Sequence, residues 1–212
     1  SILSNPSNTF SGGLILANST NGTRLLLNAT PQTAGTAGAL TSGVYGRGPI
    51  VVGQAATDKA GIYIQSAGVT ILNDIVANTA LGTDRVGAFR IDATGVNLAG
   101  TLTANLAPMA LSTNGTGGAT VTGKITGPNG LQLLSHNLGG TSLTVTLANT
   151  GAANDYAGDT IINQNPFAGR SYTLALGAAD QIPHGTGKGN VTINSATTGV
   201  GTLNPNGFTD TI

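Results

Sequence analysis

Short apolar runs, each closed by Gly, Asn or Pro, recur along the whole chain. Three of them cover residues 61–64, 69–72 and 143–147. In several runs apolar residues alternate with Thr or Asn at a period of two, which is the pattern of a half-buried β-strand. Because such runs follow one another roughly every 8 to 12 residues, the sequence predicts an all-β protein.

The composition excludes several other classes. Charged residues make up 8% of the chain, against about 25% in ordinary globular proteins. All eight acidic residues are Asp, so the chain lacks the Glu that the solvent-facing sides of helices favour. A net charge of zero and an aromatic content of 4% argue against a nucleic-acid partner. There is no Cys, which excludes disulfides and thiolate metal sites. No apolar run is long enough for a membrane helix, so we expect no membrane insertion of this segment.

The fold that fits these features is a right-handed parallel β-helix, in which short strands stack coil upon coil about 4.8 Å apart. An antiparallel β-sandwich is the alternative, since it also consists of short strands. Two-residue hairpin turns between strands are rare in this chain, which favours the β-helix. At roughly 20 residues per coil, the prediction is about ten coils and a rod about 50 Å long.

Two parts of the chain resemble each other. Residues 8–16 align with residues 154–162 at an offset of 146, and Gly68 aligns with Gly207 at an offset of 139. We therefore predict one repeat unit over residues 1–147, beginning in mid-unit, and the start of the next unit over residues 148–212. The chain is then expected to be a segment of a longer repeat array.

At the matched segments the chain resembles the autotransporter-associated β-strand repeat. The family's Asn-Thr-Tyr-Ser/Thr-Gly-Gly-Thr-Thr-Ile core, its Leu-x-Leu-Gly strand, its Ile-Pro-x-Gly turn, its Val-Thr-Ile strand and its Leu-x-Leu-x-Gly strand correspond in order to residues 154–162, 173–177, 181–185, 189–193 and 202–207. Asn204 and Pro205 depart from the last of these patterns. The resemblance implies an extracellular β-helical stalk or passenger of a large bacterial surface protein, with an adhesive or structural role and no catalytic residues.

Two clusters of carboxylates are candidates for chemistry. Asp155 and Asp159 lie four residues apart, and paired carboxylates on this fold can perform acid–base catalysis or hold calcium. The earlier repeat copy lacks both, so we expect them to cap a turn instead. Asp74, Asp84 and Asp92 can join a calcium site in a loop, although the calcium-binding nonapeptide of β-rolls is absent.

The remaining candidates for a reactive site are few. His136 and His184 are the only histidines, and neither has a second ligand at metal-binding spacing. Residues 185–189 look like a phosphate loop with the wrong spacing, and their alignment with residues 46–48 predicts a repeat corner. We therefore predict no catalytic, no cofactor-binding and no metal-binding residues, and no cofactor.

Three further groups of residues are candidates for surface functions: threonine pairs, tyrosines and glycosylation sequons. Three Thr-x-Thr pairs at intervals of about 20 residues can form an outward ladder of the kind that binds ice, although Thr is also an ordinary outward β residue: Thr101/Thr103, Thr120/Thr122 and Thr144/Thr146. Four tyrosines can stack on sugars or fill the core: Tyr45, Tyr63, Tyr156 and Tyr172. Five Asn-x-Ser/Thr sequons are no more than chance gives in this composition: Asn18, Asn21, Asn28, Asn114 and Asn190.

The sequence therefore favours a non-enzymatic structural or adhesive segment that forms a rigid stalk or fibre at the bacterial cell surface. Its expected partners are adjacent repeats of the same polypeptide, other copies end to end, and surface glycans. The secretion signal is expected outside this chain. Two alternatives stay open, a polysaccharide-active lyase or hydrolase and a glycan-binding module.

Overall fold

The structure, a computed structural model, describes residues 5–17, 22–31, 33–80, 87–135, 142–164, 168–195 and 198–212. These ranges contain strands and turns and no helix, so the all-β prediction is confirmed. No helical segment capable of crossing a lipid bilayer exists in the described part of the chain.

Most strands belong to three sheets. The first sheet contains, in spatial order, β1 (Leu14–Leu16), β5 (Ile50–Val52), β8 (Ile75–Ala77), β11 (Leu102–Ala104) and β14 (Ile125–Thr126). The second contains β2 (Thr23–Leu27), β6 (Ala60–Ile64), β9 (Phe89–Ile91), β12 (Met109–Thr113), β15 (Leu131–Ser135), β17 (Thr160–Gln164) and β19 (Val191–Ile193). The third contains β7 (Thr70–Ile71), β10 (Val96–Leu98), β13 (Thr116–Val121), β16 (Ser142–Leu147), β18 (Ser171–Leu176) and β20 (Val200–Asn204). A separate hairpin is formed by β3 (Thr33–Thr36) and β4 (Ala39–Gly43).

From β5 to β16 the chain visits the three sheets in turn and adds one strand to each sheet per coil, whereas β17 to β20 extend only the second and third sheets. From β5 onward, for example, β5, β6 and β7 are followed in the first, second and third sheets by β8, β9 and β10. Among the described strands, every pairing within the three sheets is parallel, and only β3 and β4 pair antiparallel. The protein is therefore a parallel β-helix, and the β-sandwich alternative is wrong.

The coils are longer than expected. Hydrogen bonds between adjacent coils span 22 residues from Asp92 to Asn114 and 31 residues from Asn163 to Asn194. In the coil that contains the β3–β4 hairpin, the Asn8 side chain donates to the carbonyl of Val44 across 36 residues. The longest sheet has seven strands. Six steps of about 4.8 Å between them give a stack about 29 Å long. The predicted number of coils and the predicted rod length were both too high, because corners use more of the chain than assumed.

The core is a set of apolar columns that run along the axis of the β-helix. In one column of the second sheet, the fully buried side chains of Ile62, Phe89, Leu111, Leu133 and Ile162 stack in register, each with 0% exposure. Burying a side chain of this size is worth about 1.5–3 kcal/mol. Each coil thus buries its apolar residues on the next one, as the short alternating runs predict.

Glycine and asparagine form the corners because of close backbone contacts. A Cβ on Gly123 would lie 1.9 Å from the carbonyl oxygen of Gly100 in the neighbouring coil, so only glycine fits there. At the corner that follows the first sheet, the Asn105 side chain donates a hydrogen bond to Oδ1 of Asn78 at 2.8 Å. The Asn129 side chain in turn donates to the carbonyl of Asn105 at 2.6 Å. These side chains join coil to coil where strand pairing stops.

The two aligned segments of the sequence occupy different sheets. Residues 14–16 form β1 in the first sheet, whereas the aligned residues 160–162 belong to β17 in the second. The aligned aromatics also differ, since Tyr156 is 1% exposed and Phe10 is 43% exposed. The division into units at residues 147 and 148 stays a prediction.

Candidate functional surface

The two neighbouring aspartates have separate structural partners. Oδ2 of Asp155 lies 2.6 Å from Nζ of Lys124, in a partly exposed ion pair. The hydrogen bond from Lys124, followed by one from Thr126, holds the pKa of Asp155 below its ordinary value. Oδ1 of Asp159 instead accepts the backbone N–H of Asn190 at 2.8 Å. Each carboxylate therefore links its own coil to a neighbouring coil, instead of capping its own turn as the sequence predicted.

The proposed calcium ligands also accept backbone hydrogen bonds. Oδ1 of Asp74 accepts the N–H of Thr101 at 2.8 Å. Asp92 accepts the N–H of Asn114 at 2.7 Å and pairs with Arg90 at 2.7 Å. Asp84 lies outside the described residues. In the described ranges, no group of three or more His, Cys, Asp or Glu side chains is close enough to hold a metal ion.

One cavity of about 260 Å³ lies beside a turn near the last described coil. Its lining comprises Pro183, His184, Gly185, Gly189, Asn190, Val191 and Ile212. His184 is the only titratable side chain in that lining, which leaves it without a partner for acid–base chemistry at this place. His136 lies outside the described residues.

The glycine-rich segment at residues 185–189 packs as a corner. A Cβ on Gly189 would lie 2.4 Å from the backbone nitrogen of Asp159. In the aligned segment, a Cβ added to Gly48 would lie 2.2 Å from the carbonyl oxygen of Ser11. Both glycines thus permit close contact with the backbone of an adjacent coil, which explains their presence without a phosphate ligand.

The tyrosines do not offer stacking platforms. All four are buried, with exposures of 7% or less: Tyr45, Tyr63, Tyr156 and Tyr172. Tyr63 lies between two guanidinium groups, those of Arg24 at 5.0 Å and Arg90 at 5.2 Å from the ring centroid. Among the sequons, Asn28 and Asn190 are exposed and Asn114 is half-buried, while Asn18 and Asn21 lie outside the described residues.

The threonine pairs do not form one ladder. Thr101 and Thr103 lie at the first sheet, whereas the other two pairs lie at the third. The interval between the pairs is shorter than one coil, so the true partners of Thr144 are Gly118 and Thr173. A different column results, in which Thr144, Thr173 and Thr202 stack on successive strands.

This column belongs to a regular outer surface of the third sheet. We use the name threonine face for the outward positions of β13, β16, β18 and β20, namely Thr116, Gly118, Thr120, Ser142, Thr144, Thr146, Ser171, Thr173, Ala175, Val200, Thr202 and Asn204. All of these side chains are uncharged, and the pairings that align them contain no shift of register. The sequence alone did not predict this face, because assigning the stacked partners requires the number of residues in each coil.

Most hydroxyls of the threonine face are not used by the fold. No hydrogen bond to another described residue is made by the hydroxyls of Thr120, Ser142, Thr144, Thr146, Ser171, Thr173 and Thr202. Corner side chains differ, since those of Asn78, Asn105, Asp74 and Asp92 bond to adjacent coils.

Comparison with known protein families, with characterised proteins and with solved structures found no match to this chain.

Proposed function

We propose that this chain is a non-enzymatic structural or adhesive segment of a rigid β-helical stalk or fibre, part of a large extracellular protein of the bacterial surface. The resemblance to the autotransporter-associated repeat supports the location and the class of protein. The observation that carries the mechanical role is the stacking of parallel strands on three sides of the same axis.

The direction of the hydrogen bonds supports this role. In a stack of strands, the backbone hydrogen bonds between coils run along the axis, so a pull along the axis is shared among three sheets. Side chains add further links between coils at the corners. Asn105 donates a hydrogen bond to Asn78, and the side chain of Asn154 accepts the backbone N–H of Ile125 at 2.8 Å. Such links resist separation of neighbouring coils.

The scarcity of charge also suits an exposed fibre. Charged residues make up 8% of the chain, and two ion pairs join described side chains, Arg90–Asp92 and Lys124–Asp155. The partly exposed Lys124–Asp155 pair contributes at most about 1 kcal/mol and weakens with salt. A fibre held by apolar columns and backbone hydrogen bonds is therefore largely independent of ionic strength.

The exposed apolar side chain of Ile193 supports the proposed packing of another coil along the axis. Ile193 continues the inward column above Ile162, but it is 49% exposed where Ile162 is 0% exposed. No described residue is stacked above it. A further coil, from the same polypeptide or from another copy, would bury this side chain.

The enzymatic alternative has less support. A lyase or hydrolase on this fold requires converging ionisable groups, and the described carboxylates at Asp74, Asp92, Asp155 and Asp159 are engaged at separate corners.

Single-molecule stretching tests the mechanical proposal. The chain has no Cys, so Asn28→Cys and Thr192→Cys, both exposed positions, provide unique handles on two distant coils. We expect high resistance and stepwise lengthening, with steps of one coil of 22 to 31 residues. Unfolding in one low-force event, or release of unsaturated products from acidic polysaccharides by the unmodified chain, would contradict the proposal.

A further inference from the structure

The chemistry of the threonine face goes beyond a mechanical role, and we infer that this face binds neutral polysaccharide chains. The ligand class is an extended, uncharged, polyhydroxyl polymer. The inference does not depend on the function of the stalk, since it rests on one outer surface alone.

The geometry of the face is regular in two directions. Thr144, Thr173 and Thr202 are in-register partners on adjacent parallel strands, so their Cα atoms repeat about every 4.8 Å along the axis. Thr144 and Thr146 are two residues apart on β16, which places neighbouring columns about 6.6 Å apart. A polymer with repeating hydroxyl groups can meet this array at many points along its length.

The hydroxyl groups of this column are available to a ligand of matching polarity. The hydroxyls of Thr144, Thr173 and Thr202 have no partner in the described structure, and the first and last of these residues are exposed. A hydroxyl can donate one hydrogen bond and accept two. Sugar hydroxyls have the same capacity, so each contact can be made in either direction.

The absence of charge selects among glycans. The outward positions of β13, β16, β18 and β20 carry no Lys, Arg or Asp. An acidic polysaccharide would lose hydration of its carboxylates here without gaining a cation. A neutral polymer does not incur that cost, and the threonine methyl groups can contact the C–H faces of its sugar rings.

The strength of binding must come from many weak contacts. Aromatic platforms are absent from the outward positions of these four strands. A single hydrogen bond contributes only about 0.5–1.5 kcal/mol after exchange with water. Linked contacts add through effective concentration, so affinity should rise steeply with the length of the polymer.

The test measures retention of the chain on immobilised mixed-linkage β-glucan, together with competition by cellobiose, cellohexaose and soluble β-glucan. We expect retention that is unchanged between low and high salt, at least tenfold stronger competition by soluble β-glucan than by cellohexaose, and no competition by cellobiose.

The decisive variant is the double substitution Thr144→Arg and Thr173→Arg, which places two long cations in the column. We expect at least tenfold weaker retention. The matched control is Thr192→Arg on the second sheet, also an exposed threonine on a strand, which should bind as the unmodified chain does. Far-UV circular dichroism and thermal melting verify that both variants fold.

Three outcomes would overturn the inference. One is no retention on the neutral glucan, whether or not the chain adsorbs to ice. Another is retention only on polygalacturonate, abolished by salt. The third is equal retention of the double variant and the control.

Discussion

The side chain of Gln181 binds both backbone groups of Asn149, one coil away. Oε1 of Gln181 accepts the N–H of Asn149 at 2.9 Å, and its Nε2 donates to the carbonyl of Asn149 at 3.0 Å. Both residues are buried. The amide side chain thus takes the place of a strand partner at a position where the strands have ended.

Replacing Gln181 with Ala should therefore destabilise the protein by roughly 2–4 kcal/mol, because the substitution leaves a buried N–H and a buried carbonyl of Asn149 without partners. An unsatisfied buried group costs about 1–3 kcal/mol. The midpoint of urea unfolding measures the effect. Gln132→Ala, at a half-buried outward position of β15, should change stability by less than about 0.5 kcal/mol, and equal effects of the two substitutions would contradict the account.

Two isoleucines in one column should respond differently to truncation. Ile162→Ala removes a fully buried side chain and should cost about 2–5 kcal/mol. Ile193→Ala, at 49% exposure, should cost about 1 kcal/mol. Chemical denaturation of the two variants measures this difference, and an equal cost of the two substitutions would contradict the difference in burial.

A methyl group should not fit at the glycine corner. Gly123→Ala places a Cβ 1.9 Å from the carbonyl oxygen of Gly100, and a rigid backbone contact of this kind should cost more than about 3 kcal/mol. Gly115→Ala is the matched control, since nothing lies within 4 Å of its added Cβ. Thermal melting should show a large loss for the first variant and almost none for the second.

Stability should fall at alkaline pH through Tyr156. Burial raises the pKa of this phenol from 10.0 to about 12, even though its hydroxyl bonds to Thr160 at 2.7 Å. The folded pKa lies above the unfolded one, so the contribution is complete below pH 10 and is lost as the pH rises through about 12. Tyr156→Phe should lose about 1 kcal/mol at neutral pH but show a smaller alkaline decline. Urea titrations from neutral pH to about pH 11 measure both effects, and an equal decline in the two proteins would exclude Tyr156 as the cause.

At acid pH the relevant group is Asp155. Its pKa is lowered from 3.8, first by the hydrogen bond from Lys124, so its contribution is present above that value and is lost as the pH falls through the lower folded pKa. The pair is half-exposed, with 50% exposure at the Asp155 side chain, so the loss should stay well under about 1 kcal/mol. Urea titrations at acid pH measure it: Asp155→Asn should remove this acid-dependent loss, whereas Asp180→Asn, at an exposed turn, should leave it in place.

The fold class could be predicted from the sequence, because strand length and inward alternation are local properties. The pattern around Val145 and Leu147, for example, gives two buried side chains flanked by exposed or half-buried threonines. The order in which strands stack was not predictable in this way. It depends on how much of the chain each corner uses, and the step from Gly118 to Thr144 is shorter than the step from Thr144 to Thr173.

The corner asparagines carry a signal for that order. Residues 75–78 and 102–105 both end in Ala-Asn after an apolar start, and Asn78 and Asn105 are hydrogen-bonded neighbours in the structure. Their separation of 27 residues is the same as that of Ile75 and Leu102 in the first sheet. Corner asparagines thus report coil length more directly than outward threonines, because their side chains must reach the next coil.

The short sequence separation between stacked residues has a consequence for folding. Hydrogen bonds join each coil to the next across short stretches of sequence, such as the 22 residues from Asp92 to Asn114. A new coil can therefore form its hydrogen bonds on the preceding coil alone. Contacts of this nearest-neighbour kind allow structure to grow from one point and advance stepwise. A chain that becomes available from one end can therefore fold one coil at a time, without contacts from the coils that follow.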